Sequence, residues 1–331
     1  MDTFKALRTY TEGVKVRQRF EQLTLHDIDD GDVVIRTAYA GVNYKDAMAA
    51  RGIGKNIRPE PPCVGGVDMS GIVESSEDSR YKVGDPVIVT NYALGVNHDG
   101  GYAEIVRVPG DWIVPLPDGL SLSEAMVLGS AGLCAALAIE RLEHNGMSPD
   151  NGPIAVTGAT GGVGSIAIDI LAKRRYQVSA ITGKVEQSGY LRDLGASDIL
   201  TRTELSQQRR YLGDPLWAGA IDNLGGETLV WLTKAMQPNS AVALCGLAES
   251  VQIPITVMPF ILRAVDYLGI NISSAMEMPL RCHIWARLAT DLKPQHMDTV
   301  SRMTPFDELP AMFDRLLDSS LTGRVVVEIG N

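Results

Sequence analysis

Thr157-Gly158-Ala159-Thr160-Gly161-Gly162-Val163-Gly164 follows the apolar run Ile154-Ala155-Val156 and precedes Ile166 to Lys173, whose spacing predicts a helix. A glycine-rich turn between a strand and a helix lets the backbone approach a pyrophosphate, and the helix N-terminus turns free N–H groups and a positive dipole toward the anion. The order is not a strict G-x-G-x-x-G, so a purely structural turn is the alternative at this point. Downstream the rhythm is strand then helix: Val178-Ser179-Ala180-Ile181, Tyr190 to Leu194 closed by Gly195, Ala218 to Ile221, a helical stretch from Thr228 to Met236, Ala241 to Leu244 and Leu268 to Ile270. Strands separated by helices of this length predict right-handed βαβ crossovers and an α/β domain with a doubly wound parallel sheet.

Upstream of the turn the pattern changes. From Phe4 to Pro117, runs such as Val33-Val34-Ile35, Gly71-Ile72-Val73, Val87-Ile88-Val89 and Glu104-Ile105-Val106 alternate with Gly, Pro and Asp turns, which predicts a β-rich, barrel-like domain. Val114 to Gly119 reads as a connector, and Ser121-Leu122-Ser123-Glu124 has capping-box spacing before an alanine-rich helical run. The expected boundary is therefore at 120, with 121–293 as the nucleotide-binding domain. The tail, with an amphipathic helix from Phe306 to Leu317 and a strand from Arg324 to Ile329, either finishes the parallel sheet or completes the first domain, and we assign 294–331 to the first domain.

The 331 residues suit two domains. Forty acidic against thirty basic side chains leave a net charge of −10, which offers no basic field to nucleic acid. Charges interrupt the first residues and no run stays apolar for about 18 residues, so neither a leader nor a membrane span is expected. Cys63, Cys134, Cys245 and Cys282 form no CxxC pair and read as small buried hydrophobes of a reduced, cytoplasmic protein. His26, His98, His144, His283 and His296 fall in no triad or metal spacing; only His98, in the loop Asn97-His98-Asp99-Gly100-Gly101, is kept as a candidate.

A dinucleotide with a free ribose hydroxyl usually meets a carboxylate at the end of the second strand. Here Val178-Ser179-Ala180-Ile181 runs into Thr182-Gly183-Lys184, a hydroxyl, an open turn and a cation, and Arg202 follows the next strand candidate. That set suits a 2′-phosphate and points to NADPH; solvated surface charges are the plain alternative. The octapeptide also fits the turn of short-chain dehydrogenases, but no tyrosine here has a lysine four residues later, and the turn lies mid-chain after a complete β domain.

Gly41-Val42-Asn43-Tyr44-Lys45-Asp46 and Gly66-Val67-Asp68 stand where zinc alcohol dehydrogenases carry a Cys and a Gly-His-Glu, and the β domain precedes the nucleotide-binding one. In this order the chain resembles the medium-chain dehydrogenase/reductase superfamily over essentially its whole length, which implies a chaperonin-10-like β domain followed by a Rossmann domain. With the soft ligands and the four-cysteine loop missing, no metal is expected. Val42 to Asp46, Trp217 to Asp222, Cys245 to Ala248 and Val257 to Arg263 look most similar to the zinc-independent, quinone-oxidoreductase-like branch and its acryloyl-coenzyme A reductases. The resemblance implies that Tyr44, Ala159, Thr160, Gly161, Gly162, Val163, Thr182, Gly183, Lys184, Arg202, Leu247, Ile261, Ser273 and Arg324 line NADPH. It implies hydride transfer to an activated double bond, in which orientation and stabilisation of a developing enolate supply the chemistry.

For that enolate, Asn43 and Tyr44 are the candidate donors, and Asp46 is expected to orient its neighbours; shaping of the pocket alone is the alternative for all three. Arg51, Lys55 and Arg58 lie on the loop that follows and are candidates for gripping coenzyme A phosphates, against the commoner reading of solvated loop charges. The expected partners are a small molecule, a coenzyme A thioester in the first instance, and a second copy of the chain in a homodimer. A quinone or enone reductase and a crystallin-like nucleotide-binding structural protein are the competing functions.

Overall fold

The computed structural model describes residues 3–13, 15–53, 58, 62–206 and 211–330. They fall into two compact units, one of Met1–Ser130, Ile272–Thr290 and Ser301–Asn331, the other of Ala131–Asn271 and Asp291–Val300.

In the first unit, Val33–Val42 is the central strand. It pairs antiparallel with Asp68–Ser76, with Ile105–Val108 and with Arg324–Glu328. Asp68–Ser76 continues to Pro86–Thr90, which reaches Ile113–Pro115. Phe4–Glu12, Lys15–Leu23 and Cys63–Val64 form a separate antiparallel sheet. Inward residues such as Val33, Ile35, Val87, Val89 and Val108 share a core with Leu309 and Phe313 of the tail helix Leu309–Leu317. The tail thus returns to the β domain, its strand adding to Tyr39–Val42.

The second unit holds a six-stranded, all-parallel sheet, ordered Asp198–Thr201, Val178–Thr182, Ile154–Thr157, Trp217–Asp222, Met236–Leu244 and Asp266–Gly269. Numbered along the chain this is 3-2-1-4-5-6, the Rossmann order, whose direction of winding reverses beside the first strand. Ile154–Thr157 is buried throughout, as an inner strand covered on both faces must be. The helix expected from Thr228 to Met236 runs over Gly226–Lys234, and the strand after it begins at Met236.

Three assignments differ from the reading of the sequence, the shortest being 294–300, expected in the first domain but lying in the second unit. The units divide at Ser130 rather than at 120, inside a helical stretch, α2 in chain order (Leu122–His144), that Gly129 interrupts with φ 48° and ψ −148°. Residues on both sides of that break are apolar, so composition does not mark it. Ile272–Thr290, expected with the nucleotide-binding domain, lies in the first unit because the buried Arg281 ties Ile272 and Ser273 to Thr90. By length and composition α2 is apolar enough to cross a membrane, but most of that stretch is buried inside the protein.

The turn after Ile154–Thr157 is held by a close backbone approach. Gly158 has φ 58°, and a Cβ on Gly164, in the first turn of helix α3 (Gly162–Lys173), would lie 2.4 Å from the Gly158 carbonyl oxygen. Gly164→Ala should therefore cost ~1–3 kcal/mol and displace the turn. Urea unfolding together with nucleotide titration checks this; an unchanged midpoint with unchanged nucleotide affinity would contradict the packing.

Candidate functional site

The chemistry-bearing side chains of the second unit gather at the carboxyl ends of its strands, where ligands bind in doubly wound sheets. Thr157 donates through Oγ1 to Asp222 Oδ1 at 2.6 Å, while the Asn223 side chain donates to the Thr157 carbonyl at 2.8 Å. Asp222 also accepts from the Gly225 N–H at 2.8 Å. Burial pushes the Asp222 carboxyl up, and the Thr157 and backbone hydrogen bonds oppose it. These bonds lock the two central strand ends together beneath the turn. Gly161 caps α3, so Ala159 to Val163 leave the strand around the free N-terminus of a twelve-residue helix.

Beside the turn, the buried Thr182 hydroxyl accepts from the Lys184 N–H at 2.9 Å. A Cβ on Gly183 would lie 3.7 Å from Arg202 Nε, so Gly183 and Arg202 are neighbours as expected. Glu249, which the sequence did not single out, stands 3.7 Å from Arg202 and accepts from the Thr228 hydroxyl. Leu247 and Ile261 are 64% and 72% exposed.

In the first unit a second cluster surrounds the cap of helix α1 (Tyr44–Ala50). Asn43 is the N-cap, and its N–H donates to Asp46 Oδ2 at 2.9 Å, three residues on, as in a capping box. Asn43 Nδ2 donates to Asp68 Oδ2 at 2.8 Å, and Asn43 Oδ1 accepts from Arg324 Nη1 at 2.9 Å. Asp68 is wholly buried; it also accepts from the Ser130 N–H at 2.8 Å and from the Ser130 hydroxyl. Arg324 is 4% exposed, lies 3.6 Å from Asp68, and donates to the carbonyls of Val42, Met126 and Val127. Space for its guanidinium comes from two glycines: a Cβ on Gly41 or on Gly129 would each stand 2.7 Å from Arg324 Nη2.

Several expected site residues take other places. Arg324, expected to line NADPH, spends its donors on this interior cluster. Ser273 is exposed and its carbonyl accepts from Arg281 at 2.9 Å. Arg51 pairs with Asp314 at 2.6 Å, and Arg58 with Asp29 at 2.5 Å and Asp99 at 3.1 Å, so carboxylates of the protein already hold both cations. Lys55 lies outside the described residues. His98 is buried, its ring nitrogens meeting the carbonyls of Asp99 and Asp30 and its edge meeting Trp112, which accounts for it structurally. Tyr44 is 46% exposed. Asp68, Ser130 and Asn91 complete the cluster; of these only Asp68 lay in a stretch that the sequence reading compared with a known site.

Asp46 is buried beside this cluster, and burial pushes its carboxyl up to about 6 despite Lys45, the Asn43 N–H and Tyr102. A carboxyl raised on folding keeps its proton longer in the folded state than in the unfolded one. Relative to Asp46→Asn, the wild type should therefore lose about 3 kcal/mol of stability in all as pH rises from below 3.8 through about 6, the loss levelling off above that. Urea unfolding of both proteins across this window provides the test, the change with pH being the readout; a difference independent of pH would rule the shift out.

Residues 29–118 match the family model of the alcohol dehydrogenase GroES-like domain. The chain is 44% identical over 328 residues to "Putative quinone oxidoreductase YhfP" of Bacillus subtilis, covering 98% of this chain and 99% of the relative. It is 40% identical to "Acrylyl-CoA reductase AcuI" of Ruegeria pomeroyi, covering 96% of each. Among solved structures, the yhdH oxidoreductase from Salmonella enterica in complex with NADP superposes with a TM-score of 0.95 at 40% identity, over 98% of this chain and all (100%) of that one. The structure of Bacillus subtilis yhfP with NAD bound superposes with a TM-score of 0.96 at 42% identity, over 99% of this chain and 100% of that one. With a GroES-like domain ahead of a 3-2-1-4-5-6 parallel sheet and relatives that match from end to end, the chain belongs to the medium-chain dehydrogenase/reductase superfamily of oxidoreductases.

Proposed function

We propose that the protein reduces an activated carbon–carbon double bond with NADPH and without a metal ion, acryloyl-coenzyme A to propanoyl-coenzyme A being the reaction of first choice. The observation that carries this reading is the Asn43–Asp68–Arg324 cluster. The Asn43 amide is engaged by an anion and a cation, and a guanidinium 3.6 Å from Asp68 repels any metal cation that would use that carboxylate. Such a site holds charge and geometry but supplies no Lewis acid.

The turn of the second unit suits the cofactor: a glycine backbone too close-packed for side chains, a free helix N-terminus, and Thr182, Lys184 and Arg202 around Gly183. Within the turn from Ala159 to Val163, where the Ala159 and Gly161 N–H groups donate to the Ile181 and Gly158 carbonyls, the amides of Thr160, Gly162 and Val163 would hold the pyrophosphate, and Lys184 and Arg202 the 2′-phosphate. Leu247, Ile261, Tyr44 and Ser273 remain proposed cofactor contacts. When bound, the reduced nicotinamide supplies a hydride. The substrate's β-carbon would receive it, the double-bond pair moving toward a carbonyl oxygen that would carry the charge until the α-carbon gained a proton from water or from the Tyr44 hydroxyl. Asn43 and Asp46 would orient the segment, leaving Tyr44 to face the substrate.

The relative named as an acrylyl-coenzyme A reductase supports the thioester, and the one named as a quinone oxidoreductase supports a quinone as the second reading. Arg51 and Arg58, paired with carboxylates, lend the thioester no support. A homodimer remains a proposal, to which the exposed Val251, Val257 and Leu262 of the second unit lend apolar side chains. A cytoplasmic location is likewise proposed.

Steady-state NADPH oxidation with acryloyl-coenzyme A, a simple enone and a quinone tests the reading: turnover is expected with the thioester foremost, and no turnover with any acceptor would favour a nucleotide-binding role instead. NADPH should bind at least about tenfold more tightly than NADH, or 1.4 kcal/mol, and Lys184→Ala should erode that margin. Fluorescence titration measures both, and equal affinities in the wild type would be decisive against the assignment. Activity should also survive a strong chelator; loss that zinc restores would show a metal enzyme.

A further inference from the structure

We propose that Lys45 is the cation that receives the substrate's carbonyl oxygen and that Asn91 is its positioning residue, an inference that rests on the reductase reading above. Lys45 is the second residue of α1, between exposed Tyr44 and buried Asp46. Its side chain is half-buried, and its ammonium donates to Asn91 Oδ1 at 2.7 Å. Asn91 is itself buried and donates through Nδ2 to the Ser130 hydroxyl at 2.8 Å. Ser130 in turn donates to Asp68. One chain of polar side chains thus runs from Arg324 through Asn43, Asp68, Ser130 and Asn91, and it ends on the Lys45 ammonium.

Two features separate this lysine from a solvated surface charge. The first is its partner. A neutral amide orients an ammonium without cancelling its charge; the Asp46 carboxyl, which also feels that charge, is buried behind it, and the field reaches an oxygen that becomes negative during reaction. A carboxylate in place of the amide would neutralise it. Asn91 also occupies only one of the three ammonium protons.

The second feature is how Asn91 is held. Asn91 and Tyr92 follow each other at φ 63° and 53°, a left-handed pair of non-glycine residues that costs free energy at each position. The surroundings compel it. The Asn91 N–H donates to the Val67 carbonyl at 2.8 Å, and the Tyr92 ring stacks on Trp112 at 5.5 Å. On Tyr92 also lies the buried Arg281 guanidinium, 4.6 Å from the ring centroid, which bonds the Thr90 carbonyl and hydroxyl. A backbone turn is fixed by groups outside it, and the side chain it presents fixes Lys45.

The test uses the full-length enzyme. Lys45→Met should lower kcat/KM for acryloyl-coenzyme A by ~100- to 1,000-fold, the usual loss on removing one preorganised oxyanion donor, with NADPH affinity by fluorescence titration and the urea midpoint unchanged. Lys45→Arg should recover part of the loss. Asn91→Gly, which keeps the positive φ but frees the ammonium, should lower kcat by about tenfold, one factor of ten per 1.4 kcal/mol, and leave NADPH affinity unchanged. Asn91→Asp, which keeps the contact but cancels the charge, should lower kcat at least as much. Wild-type rates in Lys45→Met, or a loss matched by equal loss of NADPH binding or of stability, would overturn the inference alone. A wild-type enzyme that turns over none of the three acceptors would remove the reductase reading and this inference with it.

Discussion

A guanidinium withdrawn from water must find every acceptor inside the protein, and Arg324 organises the first unit by that requirement. Its acceptors come from three separate parts of the chain: Val42 and the Asn43 cap, where the central strand runs into α1, Asp68 of the neighbouring strand, and the carbonyls of Met126 and Val127. The tail strand carrying Arg324, the entry to α1 and the start of α2 therefore meet at one point. Gly41 and Gly129 make the meeting possible because neither has a Cβ to occupy the space. Removal of either charge would leave the other buried and unpaired, a loss on the order of 3–5 kcal/mol for buried pairs.

Function follows from where this leaves the polar groups. Asn43 and Asp46 are consumed in holding the cap, so the residues between them, Tyr44 and Lys45, are presented by a segment that cannot shift. In the second unit the same division holds. Thr157, Asp222 and Asn223 are spent on locking strand ends, while the turn from Ala159 to Val163 and the residues around Gly183 lie beside them at the strand ends. In both units the rigid part is buried and hydrogen-bonded internally, and the proposed chemistry is placed at its edge. A frame of this kind accommodates different acceptors, in keeping with relatives named for a quinone and for a thioester.

The second unit was legible because its determinants are local. A buried β-branched run, glycines in sequence and a helical period after them can only be satisfied together by a strand–turn–helix, and repetition of the pattern dictates a parallel sheet. The adjacency of Gly183 and Arg202 followed from strand pairing, since the second and third strands end side by side. Less local features were not visible. Glu249 approaches Arg202 across 47 residues of chain by the sequence numbering, and nothing in its own neighbourhood distinguishes it from a surface glutamate.

The amino-acid sequence by itself determined the strand–turn–helix of the nucleotide-binding unit, the β-rich character of the other and the low basic charge. Only the tertiary structure decided that Arg51 and Arg58 are held by Asp314, Asp29 and Asp99, that Arg324 lies inside, and that Asn91 meets Lys45. Each of these is a pairing of charged or polar groups far apart in sequence, and a side chain's local pattern sets its backbone state but not its partner. Partners are chosen by burial, because a charge taken from water accepts whichever opposite group the fold brings within reach.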